Sequence, residues 1–300
     1  MPEAILKIRQ ASASDYPLIA DLFRDGFGVS GRIPADYVSN LCYSDPEGCF
    51  VGEIGGEMVG YATVHRAGTV GYIGNLVVVQ AHRRRGYGRK LVDRAKSYLL
   101  TRCDIVGLGV EPRLSDNIRL YKSLGFIETS PSMHVSKDTA SSPPGPDGRL
   151  ILGSDIRDQA SKFISDILIW SDEIIPGLDF SWDLQRFITK YPAQILFLVE
   201  DGRPRGFLAY HDHFRTDPWG AVEHAGDRFE ILSALVNGGE RLFESQPRLY
   251  HIQTNFTKLP ESFAALGYAP VDEKTAMVLS EHRDKWQSYS EAAMIRPWWS

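Results

Sequence analysis

Residues 83–89 read Arg-Arg-Arg-Gly-Tyr-Gly-Arg, a short basic run that contains two glycines. The apolar run 76–79 precedes it, and apolar residues then recur at helical spacing (Leu91, Val92, Ala95, Leu99). Residues 83–88 are therefore predicted to turn a strand into a helix. The first N–H groups of such a helix lack internal partners, and the positive end of the helix dipole lies behind them. Because Gly86 and Gly88 allow close approach to the backbone, the segment predicts an anion site suited to phosphate or pyrophosphate.

Two other interpretations of this run were weighed. The basic run is short, has no interleaved aromatic residue besides Tyr87, and lies in a chain of net charge −5, which argues against nucleic acid as the partner. A tight turn with solvated arginines remains the structural alternative.

The composition is that of an ordinary globular protein, and 300 residues are enough for two domains. The acidic balance is compatible with a cationic substrate such as an amine. The three cysteines (Cys42, Cys49, Cys103) have no metal-ligand spacing and suit a reducing compartment. Because the sequence has neither a secretion-type start nor a run of 18 apolar residues, we expect a cytoplasmic protein without a membrane span.

The segment 136–150 is rich in Ser, Pro, Gly and Asp, which is typical of a linker. The halves on either side resemble each other. Gly56 and Gly60 recur as Gly202 and Gly206, 146 residues later, and Gly125 recurs as Gly267, 142 residues later. We therefore predict a duplicated unit, with a first domain at 1–137, a linker at 138–149 and a second domain at 150–300.

The first half is predicted to be a mixed α/β unit. Its strands are expected at 5–10, on both sides of a hairpin turn at 55–56, up to Val79, at 104–110 and at 125–135. The run 75–79 is predicted to be buried on both faces. Helices are expected at 15–25, capped by Ser12 or Ser14, at 88–102, and at 115–124, capped by Ser115 or Asp116.

Arg83-x-x-Gly86-x-Gly88, directly after the strand "LVV", resembles the acetyl-CoA pyrophosphate loop of the GNAT superfamily (Gcn5-related N-acetyltransferases). The segment "YKSLGF", Tyr121 to Phe126, resembles the Tyr-x-x-x-Gly-Phe segment near the end of that family's domain. The resemblance covers about residues 5–135. It implies, in each half, a mixed central sheet flanked by helices, an α/β fold of the α+β type.

The resemblance also implies acetyl-CoA as co-substrate, without a metal. The backbone at Arg83, Arg84, Arg85, Gly86, Tyr87, Gly88 and Arg89 would hold the pyrophosphate, and the backbone of Leu76, Val77 and Val78 would hold the acetyl and pantetheine groups. A backbone N–H near Val78 would polarise the thioester carbonyl. Asn117 would bond the pantetheine or orient Tyr121, or else cap its own helix.

Tyr121 is the candidate general acid, because a phenol can protonate a leaving thiolate. The alternative is a tyrosine that only packs in the core. The general base is left open between Glu111, at the end of the strand "IVGLGV", and His65, at the end of the hairpin; neither is distinguished by sequence from a solvated carboxylate or a structural histidine.

The second half resembles a degenerate repeat of the same domain. It has no Arg/Gln-x-x-Gly-x-Gly, and Phe263 stands where Tyr121 would align, so we expect one working acetyl-CoA site and an acceptor pocket shaped by the second half. His211 and His213 are too few ligands for a metal site. The aromatic tail (Trp286, Trp298, Trp299) is expected to pack on the body or on a second subunit of a homodimer.

These features predict an N-acetyltransferase that acts on a primary amine of a small molecule. The alternatives are a protein lysine or N-terminal acetyltransferase, a non-catalytic acyl-CoA-binding regulatory protein, and an enzyme that transfers a longer acyl group.

Overall fold

The computed structural model describes residues 5–33, 37–39, 45–138, 147–210, 218–223, 227–243, 249–256, 258–289 and 294–295. Strands and helices alternate along both halves around mixed sheets, so the predicted fold class is confirmed. The elements of the first half are β1 (Lys7–Gln10), α1 (Tyr16–Phe27), β2 (Cys49–Ile54), β3 (Glu57–Ala67), β4 (Val70–Val78), α2 (Tyr87–Leu100), β5 (Ile105–Val110), α3 (Ser115–Lys122), β6 (Phe126–Glu128) and β7 (Ser132–Ser136).

The second half repeats much of this order. Its elements are β8 (Leu150–Leu152), α4 (Ala160–Ile174), α5 (Ser181–Lys190), β9 (Ile195–Glu200), β10 (Arg203–Ala209), β11 (Trp219–Val222), α6 (Arg228–Leu242), β12 (Leu249–Gln253), α7 (Leu259–Ala265), β13 (Ala269–Leu279), α8 (Arg283–Ser288) and β14 (Met294–Ile295).

The two hairpins turn in the same way. Gly55 and Gly56 have φ of 59° and 89°, and Asp201 and Gly202 have φ of 51° and 73°. Positive φ at both central residues belongs to the tight turn whose twist matches that of paired strands, and this conformation favours glycine. The sequence prediction of both hairpins is thus confirmed.

The two halves exchange their last strands. Strand β13 of the second half pairs antiparallel with β5 of the first, and β7 of the first half pairs antiparallel with β12 of the second. Strands β7 and β13 also pair with each other, which gives the order β1-β2-β3-β4-β5-β13-β7-β12-β14-β11-β10-β9-β8 among the described residues. Each half's sheet is therefore completed by the other half. The division at 138–149 stays a prediction.

Strands β4 and β5 are neighbours for only part of their length. They pair in parallel from Val70 opposite Ile105 to Ile73 opposite Leu108, and their pairing ends there. A cleft consequently lies between the second part of β4 and the end of β5. The second half differs at the corresponding place, because β14 pairs with both β11 and β12 and so lies between them.

Helix α2 covers one face of the first half's sheet. Its buried residues form a core with the end of β5, with α3 and with two residues of the exchanged strand; this core includes Val92, Leu99, Val110, Tyr121 and Met277. A side chain at Gly60 would meet the carbonyl oxygen of Val77 at 2.5 Å, so a glycine is required where β3 passes under α2. Helix α1 covers the other face and packs against Val77.

A tight backbone contact joins the two halves. Thr69 N–H donates to the carbonyl oxygen of Gly177 (2.9 Å), and Thr69 Oγ1 donates to the carbonyl oxygen of Pro176 (2.8 Å). Gly68 and Gly177 both have positive φ, and a side chain at Gly68 would lie 1.8 Å from the Gly177 oxygen. This contact leaves no room for a methyl group.

Several predicted boundaries and caps are wrong. Helix α1 begins one residue later than expected and continues to Phe27, since Ser12 caps a short 3-10 turn at Ala13–Asp15 instead of the helix. The N-cap of α3 is Leu114, so Ser115 and Asp116 lie inside the helix. The predicted last strand is interrupted after Glu128, because β6 and β7 pair with different parts of β13.

The run 75–79 is also less buried than predicted. Val77 is buried, but Asn75, Leu76, Val78 and Val79 are half-exposed, because the cleft opens beside this part of β4. In the tail, Trp286 is buried against Phe256, while Trp298 and Trp299 lie outside the described residues.

Among the described helices, none combines the length and the apolar composition that a membrane span requires.

Candidate functional site

The loop between β4 and α2 has an unusual backbone. Arg84 has φ of 63°, one of only two positive values at non-glycine residues in the described chain, and Gly86 has φ of 78°. Left-handed residues in such a turn direct successive N–H groups into one concavity, which binds anions. A bulky residue held in this region is strained, and such strain is common where a backbone is shaped for a ligand.

Helix α2 begins directly after this turn, with Gly86 as its N-cap. In the part of the chain that the structure describes, no side chain accepts from the first N–H groups of α2. These donors and the positive end of the helix dipole are therefore available to an anion at the predicted place. Residues 83–89 thus form one contiguous turn into α2, and their binding role stays a prediction.

The side chains of this loop have other partners. Arg83 Nε donates to the carbonyl oxygen of Val78 (2.9 Å), Arg84 pairs with Asp116, and Arg89 donates to Ser123 Oγ (2.8 Å). The Tyr87 side chain is buried with Leu6 and Val59. Arg83, Arg84 and Arg89 therefore attach the loop to β4 and α3, Arg85 is exposed, and the Tyr87 ring packs in the core.

Strand β4 directs two amides into the cleft. A one-residue bulge in β4 near Gly74 and Asn75 shifts its register, and Asn75 N–H donates to Thr63 Oγ1 (3.0 Å). Val79 N–H donates to the carbonyl oxygen of Val59 (2.9 Å), and N–H groups alternate in direction along an antiparallel strand. The N–H groups of Leu76 and Val78 therefore point away from β3, toward the cleft. Val77 instead donates toward β3 and buries its side chain under α1.

Tyr121 lies in α3, at the α2 side of the cleft. Its side chain is 6% exposed and packs edge-on against Phe126, with ring centroids 6.3 Å apart. Burial raises the pKa of Tyr121 to about 12. This raised pKa keeps the phenol protonated at neutral pH. No hydrogen bond of its hydroxyl occurs within the described residues.

Glu111 follows β5 at the far side of the cleft. Leu108 pairs with Ile73, so Glu111, three residues on, reaches about the level of Leu76 across the cleft. Its carboxylate is 43% exposed and lies 3.8 Å from the ammonium of Lys274. Glu111 and the amides of β4 thus lie at a similar level on opposite sides of the cleft.

His65 lies further away. It pairs with Tyr72, four residues before Leu76, which corresponds to about 13 Å along a strand. Its Nε2 is 3.6 Å from the Asp183 carboxylate of α5, and its ring is 5.6 Å from Tyr72. The structure therefore does not bring His65 and Glu111 to the same end of the cleft.

Asn117 is a half-buried residue of α3, one turn before Tyr121. Its N–H donates to the carbonyl oxygen of Leu114, so it belongs to the helix and the proposed capping role is wrong. Its side chain keeps the two predicted roles, toward the cofactor or toward Tyr121.

A thiol nucleophile is a poor alternative at this site. Cys49 and Cys103 are buried, and burial raises the pKa of Cys103 to about 12. The predicted histidine pair, His211 and His213, lies outside the described residues, and no group of three or more potential metal ligands occurs in the described part of the chain.

The corresponding helix start in the second half is closed to anions. Asp227 caps α6, and its carboxylate accepts from the N–H groups of Phe229 (3.0 Å) and Glu230 (3.1 Å). Phe263, the predicted counterpart of Tyr121, is completely buried. A carboxylate thus already occupies the donors that remain open at α2.

Sequence reasoning missed two features of the site. Lys274 approaches Glu111 only because β13 crosses into the first half's sheet, and no local signal in the sequence marks that exchange. The bulge at Gly74 and Asn75 interrupts the apolar pattern of β4, and the polar Asn75 inside "GNLVVV" is the signal that would have indicated it.

Residues 16–126 match the profile of the acetyltransferase (GNAT) family. N-alpha-acetyltransferase MAK3 of Arabidopsis thaliana is 35% identical over 97 residues, which are 31% of this chain and 51% of that protein. The chain therefore spans about half the length of the curated relative that it matches.

Two solved structures resemble almost the whole chain. A Pyrococcus horikoshii protein assigned as an acetyltransferase superposes with a TM-score of 0.65 at 17% identity, over 91% of this chain and 89% of that one. A GCN5-related N-acetyltransferase from Sphaerobacter thermophilus superposes with a TM-score of 0.59 at 16% identity, over 91% and 95%. These likenesses show that the fold of almost the whole chain occurs in other proteins.

Proposed function

Since residues 16–126 belong to the acetyltransferase (GNAT) family, we propose that this chain transfers the acetyl group of acetyl-CoA directly to a primary amine of a small molecule. The observation that carries the proposal is the uncapped start of α2 after the left-handed Arg84 and Gly86. It provides the backbone donors that a pyrophosphate requires, at the mouth of a cleft that two strand amides enter.

The residues around the cleft fit acetyl-CoA, which supplies the thioester. Residues 83–89 would hold the pyrophosphate by backbone N–H groups. The amides of Leu76 and Val78 would hold the pantetheine and polarise the acetyl carbonyl, because fixed donors aimed at a developing oxyanion are effective in a water-poor cleft. The unpaired edge of β4 suits the amide groups of pantetheine, because a strand edge binds an extended peptide by the same backbone hydrogen bonds.

Two proton transfers are assigned to side chains on opposite sides of the cleft. Glu111 accepts a proton from the attacking amine, because it reaches the level of Leu76 while His65 lies about 13 Å further along the strands. Tyr121 donates a proton to the leaving thiolate, since a phenol with a raised pKa is fully protonated at neutral pH.

The second half is assigned no cofactor of its own. Asp227 occupies the donors at the start of α6, and β14 lies between β11 and β12. One acetyl-CoA per chain follows from this difference. The exchanged strand β13 borders the cleft, which supports a second half that helps to shape the acceptor pocket.

A polypeptide N-terminus is the competing acceptor, favoured by the match to an N-alpha-acetyltransferase over 97 residues. The test is free-CoA release from acetyl-CoA, measured by thiol titration with a panel of small amines and with peptides that have free N-termini. We expect amine-dependent release with the small molecules. Release of CoA with peptides alone would show that the acceptor is a polypeptide N-terminus. Calorimetry that detects no binding of acetyl-CoA would refute the proposal.

A further inference from the structure

The bulge in β4 lies where β4 separates from β5. The register of β3 and β4 shifts at Thr63, which is opposite two residues of β4, Gly74 and Asn75. The parallel pairing of β4 with β5 ends at Ile73, directly before these two residues. A bulge bends its strand and increases the local twist, and bulges are common beside active sites. The cleft therefore begins at this bulge.

The bulge also determines which amides of β4 point into the cleft. N–H groups alternate in direction along an antiparallel strand, so a slip of one residue reverses them. Asn75 N–H points toward β3, and the N–H groups of Leu76 and Val78 consequently point away from β3. Pairing that continued beyond Ile73 without the extra residue would turn the N–H groups of Leu76 and Val78 toward β3. The two donors assigned to the thioester and the pantetheine thus depend on the bulge.

Thr63 supplies the hydrogen-bond partner that the bulge requires. The extra residue of a bulge has no partner in the ladder of the strands. Here Asn75 N–H donates to Thr63 Oγ1 at 3.0 Å. Thr63 is only 4% exposed, and a buried hydroxyl is unfavourable unless it forms a hydrogen bond. A valine would fill the same space, so what the hydroxyl adds at this position is the acceptor for Asn75.

Gly74 leaves the space that this contact needs. A methyl group at Gly74 would lie 2.8 Å from Thr63 Oγ1, closer than the two atoms can approach without a shift. The φ of Gly74 is not positive, so its backbone conformation is open to other residues. The glycine is therefore required by the neighbouring hydroxyl and not by its own conformation.

The described part of the second half has neither the hydroxyl nor the bulge at the corresponding place. Gly60 corresponds to Gly206, so Thr63 corresponds to Ala209, since each lies three residues after its glycine. Strands β10 and β11 pair residue by residue through Ala209, which lies opposite Trp219. The same count along β3 reaches the bulge. The hydroxyl and the bulge thus occur together, in the half whose helix start is uncapped.

We propose that Thr63 is a positioning residue for acetyl transfer, whose hydroxyl fixes the bulge of β4 and so keeps the N–H groups of Leu76 and Val78 directed at the thioester and the pantetheine. Thr63 acts through the backbone of β4 and does not contact the reacting atoms. Donors aimed at a developing oxyanion are effective only while their geometry is fixed. The inference rests on the proposed function, which it deepens by naming the side chain that maintains this geometry.

The test uses three variants and one control. Thr63→Val removes the acceptor of Asn75 N–H at nearly the same volume, Thr63→Ser keeps it, and Gly74→Ala displaces it with the added methyl group. Thr254→Val is the matched control, because Thr254 Oγ1 donates to the carbonyl oxygen of Pro131 (2.5 Å), beside β12 and β7, which β13 separates from β5.

Three quantities are measured for each chain. The kcat is determined with the amine that gives the highest kcat/KM, and calorimetry gives the Kd of acetyl-CoA. Infrared difference spectroscopy gives the stretching frequency of the acetyl carbonyl in bound acetyl-CoA that carries an isotope label at this carbonyl. A polarised carbonyl vibrates at a lower frequency than that of free acetyl-CoA, so this frequency reports on the donors of β4 directly.

We expect Thr63→Val and Gly74→Ala to lower kcat by about tenfold, the usual effect of leaving a backbone donor without its partner. The Kd of acetyl-CoA should stay nearly unchanged, because the donors at the start of α2 are untouched. The carbonyl frequency should be lowered in the natural chain, in Thr63→Ser and in the control, and should return toward the free value in Thr63→Val and Gly74→Ala. Because both of these variants act on one contact, their combination should be little worse than either alone.

A natural kcat and a natural carbonyl frequency in Thr63→Val would overturn the inference. An equal loss in Thr63→Ser or in Thr254→Val would also overturn it, since the loss would then not depend on the hydroxyl at the bulge. Gly74→Ala provides the same test if Thr63→Val does not fold.

The carbonyl frequency separates this inference from the proposed function, because its measurement needs no acceptor. A frequency shift that depends on Thr63, without transfer to any amine or peptide, would refute the proposed reaction and support the positioning role. Transfer and a frequency shift that are both independent of Thr63 would support the reaction and refute the role. Failure of acetyl-CoA to bind would overturn both.

Discussion

Replacing Gly88 by alanine should raise the stability of the protein and weaken acetyl-CoA binding. Gly88 is the second residue of α2, and an added methyl group would lie 3.8 Å from Val78 and 4.0 Å from Leu120, which is ordinary van der Waals contact. Alanine is a better helix former than glycine, so the free energy of unfolding should rise by about 0.5 kcal/mol. The same methyl group would stand between β4 and α3 at the mouth of the cleft. A ligand in close contact there would lose about 1–3 kcal/mol of binding free energy, or roughly tenfold to a hundredfold in Kd.

Higher stability together with weaker acetyl-CoA binding would show that Gly88 is required for the ligand and not for folding. Urea unfolding without ligand measures the first effect, and calorimetry with acetyl-CoA measures the second. Gly56→Ala is the control, because Gly56 has φ of 89° in the β2–β3 turn, far along the chain from the loop. We expect this control to lose about 1 kcal/mol of stability and to bind acetyl-CoA normally.

Unchanged affinity in Gly88→Ala would refute the argument that a ligand approaches the backbone at the start of α2. A large loss of stability would also refute it, since it would mean that the methyl group has no room even in the free protein. Loss of affinity in the Gly56 control would show that binding responds to general destabilisation.

Tyr121→Phe should lower kcat by roughly 10²- to 10⁴-fold without changing the Kd of acetyl-CoA, whereas Tyr98→Phe, which removes a structural hydroxyl from α2, should spare kcat. Because the pKa of Tyr121 is about 12 in the folded chain and about 10 when unfolded, its contribution to stability is present below pH ~10 and lost as pH rises to ~12; alkaline urea titrations should show a smaller loss in the phenylalanine variant. Gly68→Ala should cost about 2–4 kcal/mol more than Gly55→Ala, because both have positive φ but only Gly68 faces a carbonyl oxygen of the α4–α5 loop; equal losses in thermal unfolding would contradict the contact between the halves. Ser132→Ala should leave stability unchanged or raise it by up to about 1 kcal/mol, since its buried hydroxyl has no partner among the described residues, and a clear loss would reveal one.

The features that were predictable from sequence are local ones. The hairpins at Gly56 and Gly202 are fixed by residues that tolerate positive φ, and α2 is fixed by its apolar spacing after Gly88. The loop 83–89 was predictable because the glycines, the preceding strand and the following helix are contiguous. Its strained conformation at Arg84 was not, since nothing in the residue type indicates φ of 63°.

The strand exchange could not be predicted, because it depends on contacts between residues far apart in the sequence. The apolar residues of a strand such as β7 or β13 indicate that it is buried, but not which strand lies beside it. Two similar halves offer two similar edges, so each last strand has an equivalent partner in its own half and in the other. The contact between Glu111 and Lys274 depends on that choice. It was therefore invisible to a prediction that treated the halves as separate.

The difference between the two similar halves supports the proposal that the chain has one acetyl-CoA site. At the start of α2, Gly86 leaves the N–H groups without a side-chain cap, which costs stability unless a ligand accepts from them. At the start of α6, Asp227 supplies the acceptor from the chain itself. The sheets differ in a similar way. In the first half β4 and β5 separate after Ile73 and Leu108, whereas in the second half β14 pairs with both β11 and β12. In the second half, the protein's own side chain and strand therefore occupy the two positions that the proposed function assigns to a pyrophosphate and to the amide chain of pantetheine. A half without a cofactor of its own can act as a scaffold, and its last strand brings Lys274 beside Glu111 of the first half.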